Sequence, residues 1–567
     1  MLKEIKKNIV EKINAIFNGD FINETDIVYP PTAEMGDLSL PCFKLAKGAG
    51  KSPAEVAQLV VFSFAEQGLE VVQSVSASGP YVNFRLKSAS LAKDIFKQIQ
   101  NEADKFGNND HGKNKRVMVE FSNHNTHKEL HIGHVRNISY GDAVNRILVA
   151  NGWQSLPVSY INDFGGHVAK TIWALNEFYK DEVPSENKGS FLGKVYVRAT
   201  NEMEENKLAK PLVSFIMKKI EAREGEEYKQ WQETRQWSID QFAHAYEELG
   251  VSFRRIFYES EFIDEGLKRV DELQSRGVLR KSDGAVIADL EEYKLGVLVV
   301  KRSDGTALYP VADIPLAMHK LDQYDLTESI MVVDGRQSLY FKQLFKLLEI
   351  LGYKEKMTHL GYDVVSLPEG MMSSRKGNVI TYEELRDRML QRAIEETKAR
   401  HTDWSSQQIN EVARRLAIGA MKFEMLKVGA DQVIVFDINK ALDFSGFTAA
   451  YLQYTYARIS SVKRKANTER SIVRDYDLDF EAKEGELLMK IAKFVEVIEH
   501  AGATYNPSVI AKYLFELAQL FNDYYHGTPI LKSEAELRDF RLALLGAVQQ
   551  VLRNGLAVLG IEVVEEM

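Results

Sequence analysis

The sequence has almost no cysteine, since Cys42 is the only one among 567 residues. A single thiol excludes a disulfide framework within the chain and any zinc site built from several cysteines. Such cysteine usage fits a reducing compartment. We therefore expect a cytoplasmic protein that uses no zinc.

Long apolar runs and a surplus of positive charge are also missing. No apolar stretch reaches the roughly 20 residues that a membrane-spanning helix needs, so we expect no membrane partner. The opening segment, Met1–Phe17, is charged and carries isoleucines at helical spacing, which predicts an amphipathic helix rather than a signal peptide. The formal net charge of -9 does not indicate general affinity for nucleic acid, although a local basic face can still hold phosphates.

Length and composition indicate an ordinary globular protein of several domains. The chain is 45% hydrophobic and 27% charged, which is typical of globular proteins. Its 567 residues are expected to form about two to four domains. Residues 1–109 are predicted to form a small domain, with a helix that begins at Pro53 behind the cap Ser52 and a strand at Tyr81–Leu86. The polar segment Gly107–Lys115 is the predicted linker.

The most informative stretch lies between a predicted buried strand, Arg116–Phe121, and a predicted helix, Val135–Gly152. In doubly wound α/β folds such a loop binds nucleotides, because backbone N–H groups and the positive helix end face the phosphates. The helix start here carries His131-Ile132-Gly133-His134. The two imidazoles can donate side by side to one anion, and the glycine lets a flat base approach the backbone. The simpler alternative is a polar turn whose histidines only cap the helix.

Strand and helix signals continue beyond this stretch. A second strand ends in the Gly-rich turn Asn162–His167, and residues 177–250 are highly charged with helical periodicity. We interpret that segment as a helical insertion beside the nucleotide-binding fold, and as a solvated layer rather than a functional one. Further hairpin, strand and helix signals follow at Ser282–Gly284, Ser303–Gly305, Ser329–Val333, Tyr340–Leu351 and Asp363–Ser366.

A second chemical feature is the segment Gly370–Asn378, which combines two serine hydroxyls with Arg375 and Lys376. Such a loop can close over a triphosphate and stabilise the charge that develops on the leaving pyrophosphate. By itself it is equally an exposed basic turn. Its place in the chain, after the histidine-bearing helix, favours the functional interpretation.

From about Leu442 the sequence predicts only helices. Apolar residues recur at helical spacing in Tyr451–Lys465, Leu487–Ala501, Ala511–Tyr525 and Leu537–Leu559. A bundle of this kind is compatible with a dimerisation unit. Its interleaved tyrosines and basic residues also suit unpaired RNA bases, because aromatic faces stack bases while Arg and Lys hold the backbone.

Several motifs resemble one enzyme family. His131-Ile132-Gly133-His134 matches the HIGH signature of class I aminoacyl-tRNA synthetases, and Met371–Arg375 occupies the place of their KMSKS loop. Over nearly its whole length the chain resembles the arginyl-tRNA synthetases in particular. The most specific stretches are Glu120-Phe121-Ser122 with Asn125 and Lys128, Asn162-Asp163-Phe164-Gly165, Ser303-Asp304-Gly305-Thr306 with Tyr309 and Asp313, and Tyr451-Leu452-Gln453-Tyr454 with Ala457-Arg458.

The resemblance implies a mixed α/β architecture of three parts. Residues 1–109 would be a small α+β domain that contacts the tRNA elbow, residues 110–441 a Rossmann-type catalytic domain carrying the insertion of about 177–250, and residues 442–567 an all-helical anticodon-binding domain. It implies an arginine–tRNA ligase that makes arginyl-adenylate from L-arginine and ATP and then charges tRNA(Arg). Mg²⁺ is implied with the nucleotide, although the sequence shows no dedicated metal cage. A monomer is the expected state.

The resemblance also implies residue roles by position. The expected catalytic residues are His131, His134 and Lys128. The expected ATP contacts are His131, Gly133, His134, Ser374, Arg375 and Lys376. The expected arginine pocket consists of Glu120, Asn125, Tyr309, Asp313 and Gln337. The expected anticodon contacts are Tyr454, Arg458, Tyr525 and Met567.

Arginine makes a specific demand on its pocket. A guanidinium is planar and carries five donors, so it needs fixed carboxylates that the point charge of a lysine cannot satisfy in the same bidentate way. We expect Asp313 to bind the guanidinium with Tyr309 packing the side chain, while Glu120 and Asn125 hold the α-amino and carboxylate end. Discrimination would then come from binding alone, without editing. The alternative for Asp313 is an acid that only favours a helix N-terminus.

One departure from the family pattern concerns the phosphates. Where the KMSKS signature has its two lysines, this chain has Met371 and Ser374. Many arginyl-tRNA synthetases instead carry a lysine ahead of HIGH, and Lys128 occupies that position. We expect Lys128, helped by Arg375 or Lys376, to supply the missing charge. The resemblance further implies that arginine activation requires bound tRNA.

Two other classes of function stay open on the sequence alone. Cysteinyl- and glutamyl-tRNA synthetases and small nucleotidyltransferases share the HIGH fold, but the missing Cys-based zinc site argues against the first and the large helical C-terminal part against the last. A catalytically inactive relative that binds tRNA or another partner is the alternative outside enzymes. The intact His131, Gly133 and His134 and the acidic pocket argue against it.

Overall fold

The computed structural model describes residues 1–180, 182–206, 209–368, 380–466, 476 and 478–567. Ser374, Arg375 and Lys376 lie outside these ranges, together with the rest of the predicted cationic loop. Within the described ranges, no helix combines the length and the apolar character needed to cross a lipid bilayer.

The N-terminal part combines helices with one antiparallel sheet. Its elements are α1 (Leu2–Ile16), β1 (Leu38–Pro41), α2 (Phe43–Ala49), α3 (Pro53–Glu66), β2 (Val72–Ser78), β3 (Tyr81–Leu86) and α4 (Ser88–Glu102). β3 is the middle strand, between β1 and β2. α3 begins as its sequence predicts, because Ser52 accepts a bond from Glu55 N at 3.3 Å and Glu55 accepts one from Ser52 N at 2.9 Å.

The central part is built on a parallel sheet. Its elements are β4 (Arg116–Glu120), α5 (Ile132–Ala150), β5 (Gln154–Ile161), α6 (Gly166–Phe178), α7 (Lys188–Glu205), α8 (Ala209–Ala222), α9 (Gly225–Glu248), β6 (Arg255–Tyr258), α10 (Glu259–Ser275), β7 (Arg280–Ser282), β8 (Ala285–Asp289), β9 (Val297–Lys301), α11 (Pro310–Tyr324), β10 (Glu328–Asp334), α12 (Ser338–Ile350), β11 (Lys356–Tyr362), β12 (Val365–Ser366), α13 (Tyr382–Arg400), α14 (Ser406–Leu426), β13 (Ile434–Val435) and α15 (Ile438–Ala441).

The strand order of this sheet creates the cleft. The five strands lie side by side as β11-β10-β4-β5-β6, and every neighbouring pair is parallel. β4 is buried on both faces through Val117, Met118 and Val119, as strands of such sheets are. The chain runs outward from β4 to β6 on one side and returns through β10 and β11 on the other. The order therefore reverses between β4 and β10, and the loops after these strands border the crevice where doubly wound folds bind ligands. The predicted Rossmann-type fold is confirmed.

Two local expectations differ from the structure, and one strand was not predicted. The turn signal Ser303–Gly305 is followed by a single bridge between Lys301 and Ala307 and then by α11, rather than by a second full hairpin. The predicted strand Asp363–Ser366 is reduced to β12, which pairs with β13. The edge strand β11 was not predicted, because it mixes polar and apolar residues and is at most partly buried, so no apolar run marks it.

The C-terminal part is helical, as predicted. Its elements are α16 (Ala449–Lys465), α17 (Ala482–Ala492), α18 (Phe494–Thr504), α19 (Pro507–Gly527) and α20 (Ala535–Val558). The single helix expected over Leu487–Ala501 is two helices that meet at Lys493. One hydrophobic core runs through all three parts, from Ile9 to Val564. The N-terminal and C-terminal parts also contact each other directly, with Lys6 Nζ 2.7 Å from Glu496 Oε1.

Candidate active site

The two signature histidines form the start of α5. His131 is the N-cap residue, and its Nδ1 accepts a hydrogen bond from Gly133 N at 3.1 Å. Nδ1 of His134 accepts one from His131 N at 3.1 Å, and the two rings stack with centroids 3.8 Å apart. Because both Nδ1 atoms accept, each neutral ring carries its proton on Nε2. The pair thus offers two Nε2–H donors side by side.

Gly133 is needed for this arrangement. A Cβ atom at position 133 would lie 3.0 Å from Cε1 of His131, which is tighter than side chains normally pack. The glycine makes room for the capping imidazole as well as leaving the backbone accessible to a ligand. The capping alternative and the ligand-binding interpretation are therefore compatible, since capping uses Nδ1 and leaves Nε2.

Neither histidine carries a charge at neutral pH. Burial lowers the pKa of His131 to about 4, and the nearby Lys128 ammonium contributes to that shift. Burial also holds the pKa of His134 well below its usual value, with His131, His124 and Lys128 adding to the effect. The imidazoles can donate to phosphate oxygens, but positive charge has to come from another group.

Lys128 is a cationic side chain near these two rings. It lies in the loop between β4 and α5, and its Nζ is 5.1 Å from the centroid of the Tyr196 ring on α7. Lys170 Nζ approaches the same ring at 4.0 Å. The effect of Lys128 on the pKa of His131 and of His134 shows that its ammonium lies near both rings.

Asp313 lies in the first turn of α11, near Glu120 at the end of β4. Tyr340 of α12 donates a hydrogen bond to its Oδ2, whereas its Oδ1 is buried and has no hydrogen-bond partner in the described part of the chain. Burial raises the pKa of Asp313 to about 6, although the Tyr340 bond acts in the opposite direction. An acid that only stabilised the helix start would face solvent or the helix N–H groups, so this geometry favours a ligand-binding role.

Glu259 is a second acid in this pocket, and the sequence analysis missed it. It is the first residue of α10, directly after β6, and its Oε2 accepts a bond from Asn162 Nδ2 at 3.2 Å. Burial raises the pKa of Glu259 to about 8, and the nearby carboxyl of Asp313 adds to the rise. An acid at the carboxyl end of a strand of the parallel sheet was the available signal.

Glu120, at the end of β4, is already paired. Its Oε2 contacts the ammonium of Lys320, and its Oε1 accepts a bond from Asn123 Nδ2 at 3.0 Å. The Lys320 and Glu120 side chains are only 4% and 6% exposed. Lys320, also missed from sequence, follows Asp313 by seven residues and so lies on the same face of α11. Lys320 thus balances Glu120, whereas neither Asp313 nor Glu259 forms a salt bridge among the described residues.

The remaining residues of the expected arginine pocket lie at its edge. Tyr309 precedes α11 and is 64% exposed, next to Asp313 in space and sequence. Asn125 pairs with Asn162 across a parallel bridge, which brings it to the end of β5. Gln337 is exposed just before α12, one turn ahead of Tyr340. The structure therefore brings Glu120, Tyr309 and Asp313 near one another, with Asn125 beside them through Asn162, whereas Gln337 has no described contact with this group.

The Asn162-Asp163 motif has a structural explanation. Asp163 is fully buried, accepts a bond from Arg235 Nε at 2.5 Å and caps α10 by accepting from Ser260 N at 2.9 Å. Asn162 holds Glu259, as described above. The motif thus fixes the insertion and the acidic pocket to the end of β5.

Three of the four expected anticodon residues lie together. Arg458 on α16 donates to Tyr454 Oη at 2.8 Å and to Asn522 Oδ1 at 2.8 Å. Its guanidinium carbon is also 5.6 Å from the ring centroid of Tyr525 on α19. Met567 packs, partly buried, against the main core. Within the described ranges, no cluster of three or more His, Cys, Asp or Glu side chains is arranged to hold a metal ion.

Comparisons with known proteins cover almost the whole chain. Residues 3–86 match the family model for the arginyl tRNA synthetase N terminal domain, residues 96–437 that for the class I (R) tRNA synthetase catalytic domain, and residues 452–567 that for the DALR anticodon binding domain. The arginine–tRNA ligase of Bdellovibrio bacteriovorus is 36% identical over 97% of this chain and 96% of its own. That of Clostridium acetobutylicum is 33% identical over 100% of both.

Solved structures give the same result. The arginyl-tRNA synthetase of Thermus thermophilus superposes with a TM-score of 0.84 and 27% identity, covering 100% of each chain. The Plasmodium falciparum enzyme, with a TM-score of 0.79 and 20% identity over 100% of this chain and 99% of its own, shares the fold.

Proposed function

The chain belongs to the arginyl-tRNA synthetase family, and on that premise we propose how its residues divide the work. The protein is an arginine–tRNA ligase, which uses ATP to activate L-arginine and then charges tRNA(Arg). Neither step needs a covalent enzyme nucleophile. Positioning and stabilisation of charge on phosphate oxygens must therefore account for the rate.

ATP binds at the start of α5. The Nε2–H groups of His131 and His134 donate to its phosphates, while Gly133 lies under the adenine. Ser374, Arg375 and Lys376 complete the ATP site from the cationic loop. Mg²⁺ enters with the phosphates, because the neutral donor groups at the α5 start are not the hard oxygen ligands that this ion prefers.

Lys128 supplies the positive charge that the neutral histidines lack. Its position near both rings, given by its effect on their pKa values, supports this role. We expect Lys128→Ala to slow arginyl-adenylate formation in pre-steady-state measurements by at least about tenfold, since a charge-assisted contact to the transition state is lost. Lys170→Ala, which removes the other ammonium beside Tyr196, is the matched control and should have a smaller effect. A Lys128→Ala enzyme that activates arginine as fast as wild type would refute the assignment.

The guanidinium of arginine binds between Asp313 and Glu259. The observation that carries this proposal is the buried, unpartnered Oδ1 of Asp313 beside a second carboxyl whose pKa is also raised. A guanidinium carries one positive charge on a planar fork of five N–H donors, so it can donate to both acids at once, whereas the point charge of a lysine ammonium cannot satisfy them in the same bidentate way. Tyr309 covers the aliphatic part, and Gln337 closes the rim.

Glu120 and Asn125 hold the α-amino and carboxylate end. The Lys320 contact keeps the Glu120 side chain fixed at the end of β4. Asn125 faces the same crevice through its bridge to Asn162. In this proposal the arginine carboxylate faces the α-phosphate of ATP.

The outer parts of the chain bind tRNA(Arg). Residues 1–109 contact the tRNA elbow, and an exposed aromatic pair, Phe43 and Tyr81 with centroids 6.0 Å apart, offers stacking faces there. Residues 110–441 catalyse. Residues 442–567 read the anticodon, where Tyr454, Arg458 and Tyr525 form a cation–aromatic cluster joined by Met567 at the chain end. The enzyme acts as a cytoplasmic monomer.

The proposed dependence of the first step on tRNA is tested by ATP–pyrophosphate exchange. Exchange with arginine should be fast when tRNA(Arg) is present and near background when it is left out. Equal rates in both conditions would contradict the proposed coupling, while the arginine specificity of the exchange would still test the pocket.

A further inference from the structure

The loop that joins β4 to α5 is strained at two positions. Ser122 and His127 both have φ of +62°, in the left-handed region that non-glycine residues rarely adopt. Such conformations persist only where the surroundings fix them, and they occur often at functional sites. Here both strained residues are held by the same helix, α9 of the insertion.

His127 is fixed by three hydroxyl groups. It is fully buried, and its backbone N donates to Ser238 Oγ at 2.9 Å. Its Nε2 lies 2.8 Å from Thr234 Oγ1, and its Nδ1 lies 3.0 Å from Thr126 Oγ1. The Thr234 hydroxyl donates to Gln230 O at 2.7 Å, so it accepts the proton of His127 Nε2. Burial lowers the pKa of His127 to about 3, in keeping with a neutral ring.

Ser122 is fixed in a similar way at the other end of the loop. Its Oγ bonds with Tyr246 Oη at 2.8 Å and with His124 Nε2 at 2.7 Å. Tyr246 also lies on α9, about two turns beyond Ser238 and about three turns beyond Thr234. α9 therefore contacts the loop at both strained residues, and Asn125 and Lys128 lie between or directly after them.

We propose that Thr234 and Ser238 are positioning residues for Lys128, which they orient through His127. This inference rests on the proposed function, in which Lys128 contacts the ATP phosphates. His127 and Lys128 are neighbours in the chain, so a change in the backbone of His127 redirects the Lys128 side chain toward or away from the two signature histidines. The insertion is then a template for the ATP site, in contrast to the solvated layer that its sequence predicts.

A double-mutant cycle tests this role. Thr234→Val keeps the shape of the side chain but leaves the His127 Nε2–H without its acceptor. With tRNA present, we expect arginine activation by Thr234→Val to fall in kcat by roughly 10- to 100-fold, because small misplacements of a charged group are costly in the transition state. KM for arginine should change little. Thr234→Ser, which keeps the hydroxyl, should restore most of the rate.

The cycle is completed in a Lys128→Ala background. If Thr234 acts through Lys128, then Thr234→Val should cause no further loss once the ammonium is gone. Thr397→Val is the matched control, since Thr397 is also a buried helix threonine whose hydroxyl bonds the carbonyl four residues earlier, at 2.7 Å. Thr397→Val should leave the rate of arginine activation unchanged in both the wild-type and the Lys128→Ala background. Ser238→Ala gives a second, smaller perturbation of the same backbone in case Thr234→Val fails to fold.

The outcomes separate this inference from the proposed function. A Thr234→Val enzyme with wild-type kcat, or one whose loss is just as large without Lys128, would overturn the positioning role while leaving the role of Lys128 intact. A Lys128→Ala enzyme with wild-type activation would remove the premise, and the inference would fall with it.

Discussion

At the scale of single residues, the proposed arginine pocket depends on carboxyl groups that are unusually hard to ionise. Asp313 and Glu259 lie near each other in a recess, so each makes ionisation of the other more costly, and burial adds to that cost. A guanidinium places one positive charge between them and can donate hydrogen bonds to both. The two neighbouring carboxyl groups therefore favour a ligand that can satisfy both acids at once.

Removing either carboxylate should weaken arginine use specifically. For Asp313→Asn and for Glu259→Gln we expect KM for arginine to rise by roughly two orders of magnitude, because a buried charge pair to the ligand is lost, while KM for ATP changes little. Steady-state aminoacylation with each substrate varied in turn measures both values. Asp387→Asn, at a 65% exposed site on α13, is the control. Unchanged arginine KM in both pocket variants would contradict the assignment.

The same pKa values predict which substrate is sensitive to pH. Asp313 and Glu259 have pKa values raised to about 6 and about 8, so below these values the neutral forms predominate and bind a cation poorly. The kcat/KM for arginine should therefore rise as pH increases from 5.5 to 8.5. His131, with its pKa lowered to about 4, stays neutral throughout, so KM for ATP should be flat over this range. Both parameters can be measured across this pH range. A kcat/KM for arginine that falls as the pH rises would contradict the prediction.

At the residue level, the sequence offers a signal only where residues form a short motif or match a family pattern. His131, Gly133 and His134 stand out as a pattern, and Asp313 follows from the resemblance. Glu259 and Lys320 belong to no short motif, since their neighbours in space come from β4, β5 and α11 rather than from adjacent sequence. Their roles depend on how the sheet brings separate strand ends together.

At the scale of secondary structure, the start of α5 combines a helix cap with a ligand site. His131 uses Nδ1 for the cap, which leaves Nε2 for the proposed nucleotide contact, so the two roles can be separated by mutation.

We expect His131→Asn to keep the cap through its side-chain oxygen and lose the Nε2 donor. His131→Ala should lose both, at a further stability cost of about 1 kcal/mol. Urea unfolding should therefore distinguish the two variants, while ATP–pyrophosphate exchange should be impaired in both. Wild-type exchange by His131→Asn would show that the Nε2 donor is not used.

Element predictions failed where local periodicity is ambiguous. Only Lys493 separates α17 from α18, so the helical spacing of apolar residues is almost unchanged across the break. β11 lacked the apolar run of a central strand because it lies at the sheet edge. By contrast, Ser52-Pro53 predicted the start of α3 correctly, since capping is decided by neighbouring residues.

At the scale of the whole molecule, buried polar contacts join the catalytic and C-terminal parts. Lys422 of α14 is completely buried and donates to Gly560 O at 2.9 Å, with Asp142 of α5 at 3.4 Å. Tyr505, near the start of α19, donates to Glu328 of β10 at 2.8 Å. These contacts join residues hundreds of positions apart, so no local pattern could predict them, whereas the order of the three parts followed from the motifs.

Lys422→Met should destabilise the junction between the catalytic and C-terminal parts. In this variant the salt bridge between Asp142 and Arg146, at 2.9 Å, remains. The carbonyl of Gly560 loses its hydrogen-bond donor, and the buried Asp142 carboxylate loses one of its two cationic neighbours. We expect the free energy of unfolding to fall by about 3 kcal/mol in the transition that reports on this junction. This is the lower end of the cost of breaking a buried ion pair by removing one partner. Lys398→Met, at an exposed position of α13, should leave the urea midpoint unchanged. Equal midpoints for the two variants would show that the junction does not depend on Lys422.

The central claim is that one cleft holds ATP at the α5 start and a guanidinium between Asp313 and Glu259. The most direct test is ATP–pyrophosphate exchange by the purified enzyme, with total tRNA present and each of the twenty amino acids supplied in turn. The structure predicts exchange with arginine and only background with lysine and the others. Exchange driven by another amino acid, or by lysine as well as arginine, would contradict it.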